Sequence, residues 1–293
     1  MPSPYVRRRR LAAELRKIRE HRNMTTDELG RLVYQSRTKI TRLENGQVRP
    51  DLAEIMKMLE ILGVEGSQYK RIVRLARDAA EKGWWDRYGN PMGPRQKLYA
   101  DLESGADTIR SFNQTAMPAV LQSPEFIMAL VELDRCQGPL GYRPERMAEA
   151  RAHRQRCLLR ENGPSYETVL DECIIHRLAV PAEAMAAQLR HLISVVTSEE
   201  RITVRVLPHN AAIPGGFLPK SSFYLFTFPE RADPPMAVLD TVTTDLVLTQ
   251  KGEVAQYVEM FKRLRKAALS PKDSLTFLHR VADGLTEEAG SGA

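Results

Sequence analysis

Apolar positions between residues 11 and 81 recur every three or four residues and divide the segment into helical stretches. Leu11, Leu15 and Ile18 fall at i, i+4 and i+7, one face of a first helix that Asn23-Met24 interrupts. Thr25-x-x-Glu28 has the form of a capping box, in which each side chain satisfies the other residue's backbone N–H. It opens a second helix whose buried face is Leu29, Leu32 and Val33. Gly30 falls where two helices approach across a tight turn, a place for a small residue. Ser36 is a good N-cap for a short third helix, on which Ile40 and Leu43 share one face. Arg37, Thr38, Lys39, Thr41 and Arg42 point elsewhere, and Glu44-Asn45 lead into Gly46, the residue that most easily takes the left-handed conformation ending a helix. Asp51 caps a fourth helix, with Leu52, Ile55, Met56 and Leu59 inward, that ends near Leu62-Gly63. Tyr69–Glu81 reads as a fifth, with Ile72, Val73, Leu75, Ala76 and Ala79 in an apolar stripe.

The period then fails. Residues 82–94, KGWWDRYGNPMGP, hold three glycines and two prolines and read as a loop at a domain boundary. The aromatic anchors Trp84, Trp85 and Tyr88 predict an ordered linker docked onto the second domain. Gln96–Asn113 returns to a helical pattern, with Leu98, Leu102, Ala106 and Ile109 inward. A turn over Ala116–Pro124 leads into a helix at Glu125–Leu133, and Arg143–Arg160 is a basic helix broken at Asn162-Gly163-Pro164. Beyond it the period becomes two. Tyr166–Leu170, Arg201–Leu207, Ser222–Phe228, Met236–Val242 and Asp245–Leu248 read as strands, with a helix over Pro181–Val196 between the first two. Gly252–Ala267 and Pro271–Asp283 are helical, and a polar, disordered end follows Thr286. The predicted fold is a mainly α N-terminal helix-turn-helix domain (residues 1–66), a helix and Trp-rich linker (67–95), an α+β domain joined mainly by hairpins (96–285) and a tail (286–293).

Charge sharpens this division. Residues 1–80 hold 18 Lys/Arg against 10 Asp/Glu, a balance of +8, while the whole chain has 43 against 37, so the remainder carries −2. The excess positive charge sits where the short third helix lies, which fits phosphate binding by the first domain and another task for the second. Pro4–Arg10 reads as a basic arm reaching a backbone or minor groove, or equally as a frayed lead-in. With 43% hydrophobic and 27% charged residues the composition is that of a globular protein. No apolar run approaches a membrane span, and no apolar stretch follows Arg7–Arg10 as a secretory signal requires. Cys136, Cys157 and Cys173 are odd in number and lack CxxC spacing. A cytoplasmic chain with reduced thiols, associated with the nucleoid, is expected.

The helix-turn-helix pattern resembles the Xre/phage-repressor family over about residues 10–64, through Thr25–Val33, Ser36, Ile40, Leu43, Glu44-Asn45-Gly46 and Pro50. That resemblance implies a recognition helix at Arg37–Glu44 in the DNA major groove, with Arg37, Thr38 and Arg42 contacting bases. It places Thr25 and Thr26 at the backbone, and gives Ser36, Lys39, Thr41 and Asn45 to phosphate or to caps, with Gln35 able to do either. It further implies a homodimer on a pseudo-palindromic operator. Tyr34 departs from the small residue usual in this turn. The bland alternative is a helix-turn-helix used for dimerisation or protein contact.

Over about residues 65–283 the chain resembles the second domain of a group of actinobacterial regulators with an Xre-type domain in front. The blocks that carry this are Glu81-Lys82-Gly83-Trp84-Trp85, Pro118–Ser123, Arg151–Leu159, Leu170-Asp171-Glu172, Ala187-Gln188-Leu189-x-x-Leu192, Val204-x-Val206-Leu207-Pro208 and Leu264–Ser274. The resemblance implies an antitoxin-like transcriptional regulator with a small protein partner; a small-molecule effector is the alternative. Where the family often has Pro-Gly-Leu-Leu-Gln-Thr, this chain has Pro118-Ala119-Val120-Leu121-Gln122-Ser123, and alanine takes a positive φ less readily than glycine.

Catalytic patterns are lacking. The six histidines, His21, His153, His176, His191, His209 and His279, show no metal-ligand spacing, and the His153/Cys157 pair reads as structural. Asp171-Glu172 reads as a salt-bridged edge near Arg151, Arg154 or Arg156 rather than as an acid–base pair. Residues 213–217, IPGGF, lack the Lys and Ser/Thr of a phosphate-binding loop. The reading is a DNA-binding regulator, with no enzyme, cofactor or metal expected.

Overall fold

The computed structural model describes residues 2–88, 92–216, 220–241 and 245–291. The chain forms two compact units: one comprises Met1–Arg87, Lys97–Ala106 and Phe228–Pro234, and the other comprises Tyr88–Gln96, Asp107–Thr227 and Pro235–Ala293. Among the described residues no helix is long and apolar enough to cross a membrane.

Five helices make the body of the first unit: α1 (Pro4–His21), α2 (Thr26–Val33), α3 (Arg37–Glu44), α4 (Leu52–Ile61) and α5 (Gly66–Ala80). Their facing stripes build one core that includes Leu11, Leu15, Leu29, Ile40, Leu59 and Ile72. Two residues predicted to be inward are exposed, Leu32 at 49% and Met56 at 37%. At 100° per residue each lies about 100° from the centre of its helix's buried face, which is set by Leu29, Gly30 and Val33 in α2 and by Ile55, Met58 and Leu59 in α4.

The basic N-terminus is not an arm. Ser3 caps α1 by accepting from Val6 N at 3.2 Å, Pro4 occupies the first turn, and Val6 and Arg7 are buried. Arg7 donates through both Nη atoms to Glu230, at 2.8 and 2.5 Å, and Arg10 donates to Glu230 at 2.9 Å and to Asp233 at 3.1 Å. The Ser3 hydroxyl donates to Asp101, as does Tyr5 N at 3.1 Å, while Arg8 pairs with the same carboxylate at 3.6 Å. Burial pushes the Asp101 carboxyl up to about 6 against these partners. The charged run hid a helix whose partners lie about a hundred and two hundred residues further along the chain.

The tryptophan-rich segment is ordered. Trp84–Tyr88 forms a short 3-10 helix with Trp85 buried, and the two indole rings meet edge to face at 5.8 Å. Asp86 accepts from Gly83 N at 3.1 Å and from Arg49 at 2.9 Å. Residues up to Arg87 belong to the first unit. Residues 89–91 of the predicted loop lie outside the described residues.

The predicted helix over Gln96–Asn113 is two elements: α6 (Pro94–Gly105) and strand β1 (Thr108–Asn113). Leu102, Ala106 and Ile109 keep the helical spacing across the break, which is why the pattern concealed it. Then come α7 (Pro124–Gln137), α8 (Pro144–Leu159), β2 (Ser165–Asp171), α9 (Glu172–His176), α10 (Ala182–Ser198) and β3 (Ile202–Leu207). The series closes with β4 (Phe223–Thr227), β5 (Met236–Leu239), β6 (Leu246–Leu248), α11 (Lys251–Ala267) and α12 (Pro271–Ser291). Strand β5 stops short of Val242, which lies outside the described residues, as does Phe217 of the predicted 213–217 loop. Helix α12 continues to Ser291, through the stretch read as disordered after Thr286; residues 292–293 lie outside the described residues.

The six strands form one sheet in the order β3-β2-β1-β4-β5-β6. β1, β2 and β3 are parallel, with helices in the crossovers, and only the β4–β6 half is built from antiparallel neighbours. The α+β reading holds, while the expectation of mainly hairpin connections does not. On one face Phe112, Val169, Phe223 and Leu225 pack with Val254, Phe261 and Leu264 of α11. On the other, Ser111 donates to Thr168 at 2.9 Å, Asn113 Nδ2 donates to both at 2.9 and 3.0 Å, and Tyr224 OH donates to Asn113 Oδ1 at 2.9 Å. This buried row is mutually hydrogen-bonded, which removes the desolvation cost of its polar atoms.

Candidate nucleic-acid interface

The turn between α2 and α3 follows from local chemistry. Thr25 Oγ1 accepts from Glu28 N at 3.1 Å and Glu28 Oε2 accepts from Thr25 N at 2.7 Å, so the capping box is complete. The N–H of Thr25 holds the Glu28 carboxyl below its usual range. Thr25 and Thr26 therefore stand at a helix end whose first turn already carries Asp27 and Glu28, and Asp27 is paired with Arg31. Tyr34 ends α2 at φ 59°; the residue is 84% exposed, with Lys57 Nζ 4.3 Å from its ring centre. Gln35 N donates to Gly30 O at 2.8 Å, and a Cβ on Gly30 would lie 2.7 Å from Gln35 O. Gly30→Ala is expected to destabilise the fold by about 1–3 kcal/mol, the usual cost of forcing extra volume into a packed turn. Urea unfolding measures this, and unchanged stability would show that the turn can widen.

Ser36 caps α3 by accepting from Lys39 N at 3.2 Å, and Ile40 and Leu43 are buried beneath it. Arg37, Thr38, Lys39, Thr41 and Arg42 are exposed, as the pattern predicts. They are not equally free. Arg37 and Arg42 make no ion pair among the described residues. Lys39 is paired with Glu54, which also accepts from Gln35 Nε2 at 2.9 Å. Thr41 Oγ1 donates to Arg37 O at 3.0 Å, and Asn45 Oδ1 accepts from Arg16 at 2.5 Å while its carbonyl accepts from Arg9 at 2.9 Å. Gly46 follows at φ 66°. The outer face thus presents two unengaged guanidiniums, two hydroxyls and a lysine that must leave a carboxylate to reach DNA.

One residue that sequence reasoning passed over fixes this helix. Glu44 is buried, and Arg19 of α1 donates to it through Nε at 2.6 Å and Nη2 at 2.8 Å, with Nη1 on Met24 O at 2.7 Å. A buried acid preceding Asn-Gly was the available signal, but its partner lies on another helix.

In the second unit the blocks that carry the family resemblance meet as connections between elements. Gln122 accepts from Arg151 and donates to Met117 O at 2.9 Å. Gln188 accepts from Ser123 N and donates to Leu121 O, both at 2.7 Å. Ser274 Oγ, fully buried, accepts from Val206 N at 3.0 Å, and Glu167 joins Arg205 at 2.9 Å to Arg265 at 2.7 Å. Burial lowers Arg151 to about 10. Ala119 lies in a 3-10 turn without positive φ, so the glycine-to-alanine departure costs nothing there. Asp171 caps α9 by accepting from Cys173 N at 2.9 Å, and Glu172 faces His176 and His209 N.

Comparison with known proteins finds two families along the chain. A family described as a helix-turn-helix domain matches residues 10–71, and one described as a domain of unknown function (DUF5753) matches residues 96–280. No curated protein and no solved structure gives a significant match.

Proposed function

Since the chain belongs to the DUF5753 family and carries a helix-turn-helix domain ahead of it, we propose that it is a sequence-specific transcriptional regulator of Xre type, antitoxin-like, whose second domain takes a small protein partner. The observation that carries this reading is α3, pinned from below by Ile40, Leu43 and Glu44 and presenting Arg37, Thr38, Thr41 and Arg42 outward. A short helix of that character fits the major groove, where guanidinium forks read guanine. As a homodimer, the protein would place two such helices in half-sites about 34–36 Å apart on a pseudo-palindrome. Occupancy of a promoter, modulated when the partner shifts the protein between states of different DNA affinity, is the mechanism. No catalytic step belongs to it.

Selection of bound sequences from a randomised duplex pool, followed by titration of the selected duplex over a salt series, tests the reading. Enrichment of a two-fold symmetric sequence is expected; equal affinity for selected and random duplex would defeat it. Lys39→Ala is expected to weaken binding evenly across sequences and to reduce the slope of log affinity against log salt by about one. An effect confined to one base pair would make Lys39 a reader instead.

A small-molecule effector is the second reading. It is favoured by a cleft of about 220 Å³ between the sheet and α11, where Arg110, Lys262 and Arg265 outnumber Glu167 beside Leu225 and Phe261. Capture from native cells with the full chain as bait, paired with native mass spectrometry of the purified protein, separates the readings. A small protein encoded nearby supports the first, and a retained small anion the second.

A further inference from the structure

We propose that Asp171, Cys173 and His209 form a binding site for a divalent transition metal of the zinc class. The site lies in the second unit, where the parallel strands β2 and β3 end side by side: Asp171 pairs in register with Leu207, and His209 follows two residues later. The ligand atoms of the three side chains all lie within 4.8 Å of one another. Cys173 Sγ is 3.7 Å from His209 Nδ1. A tetrahedral zinc with sulfur at about 2.3 Å and nitrogen at about 2.0 Å holds those atoms about 3.5 Å apart, so the pair already stands at the spacing of two zinc ligands. Asp171 reaches the same point as the N-cap of α9 and is hydrogen-bonded to the Cys173 thiol, so local structure already holds sulfur, nitrogen and oxygen donors together.

The donor set selects the metal class. One sulfur, one imidazole and one carboxylate suit zinc, cobalt and their neighbours, whereas magnesium and calcium take oxygen cages. Asp171 uses Oδ1 to cap α9 and keeps a second oxygen for the ion. Glu172 lies beside the site and accepts from the backbone N–H of His209 at 2.8 Å, which fixes the segment that carries the imidazole, while His176 Nε2 lies 3.2 Å from the same carboxylate. Three protein ligands leave a fourth position for water. The ion would tie the β2–α9 corner to the segment after β3. No local spacing announces the site, because His209 lies 36 residues beyond Cys173.

The test uses the full-length protein, stripped with chelator and titrated with Co²⁺, with Zn²⁺ as competitor. One equivalent of Co²⁺ is expected, with a thiolate-to-cobalt charge-transfer band that Zn²⁺ abolishes. Cys173→Ser should remove the band, and His209→Ala, at an exposed position, should weaken affinity by at least about tenfold. Asp171→Asn, which retains a capping oxygen, should also weaken binding while circular dichroism stays unchanged. Absence of the band in the wild-type protein overturns the proposal. So does its persistence in Cys173→Ser, which would assign the ion to Cys136 or Cys157.

Discussion

Arg42→Ala and Arg37→Ala each lower affinity for the selected operator by about 1–3 kcal/mol, the worth of a bidentate contact to a base. That is roughly five- to 150-fold in dissociation constant. Affinity for random duplex falls far less, because a lost base contact leaves most phosphate contacts in place. Both side chains are exposed and make no ion pair among the described residues, so thermal unfolding stays within the scatter of ordinary surface substitutions. Fluorescence anisotropy on matched operator and random duplexes gives the ratio. Equal losses on both would make these arginines phosphate binders, and the sequence would then be read elsewhere.

Glu44→Ala destabilises the protein by roughly 3–5 kcal/mol, because it leaves the Arg19 guanidinium without its partner at a buried site. This is a large part of the 5–15 kcal/mol that typically holds a domain folded. It acts at a distance from DNA, yet specific binding falls too, since α3 loses the tie that sets it against α1. Urea unfolding followed by circular dichroism measures the loss. Replacing both members, Arg19→Met with Glu44→Leu, recovers much of it, as removing a buried pair together avoids the stranded charge. Failure of the double variant to recover would mean that the Arg19 bond to Met24 O matters more than the ion pair.

What could be read from the chain was what is local. The capping box at Thr25 and Glu28, the Ser36 cap, Gly30 at the close approach and Gly46 at positive φ all lie within a few residues of what they control. What could not be read depends on distant partners. Arg7 and Arg10 looked like solvated charge because Glu230 and Asp233 are more than two hundred residues away. Glu44 looked like a helix-end acid because Arg19 precedes it by 25 residues. Thr108–Asn113 kept a helical spacing while its neighbours β2 and β4 made it a strand, a tertiary override that no window of sequence contains.

The clasp of α1 by Glu230 and Asp233 bears on where this protein can be cut. The helix-turn-helix half is not a contiguous stretch, for its basic end is neutralised by carboxylates that belong to a hairpin connection far downstream. A fragment severed at the tryptophans sheds Asp101, Glu230 and Asp233 together and sets Arg7, Arg8 and Arg10 loose. Such a fragment would cling to any duplex, with a steeper dependence on salt than its parent. The intact polypeptide carries its own counterions, and a gene rearrangement that grafted this reading head onto another body would have to bring them along.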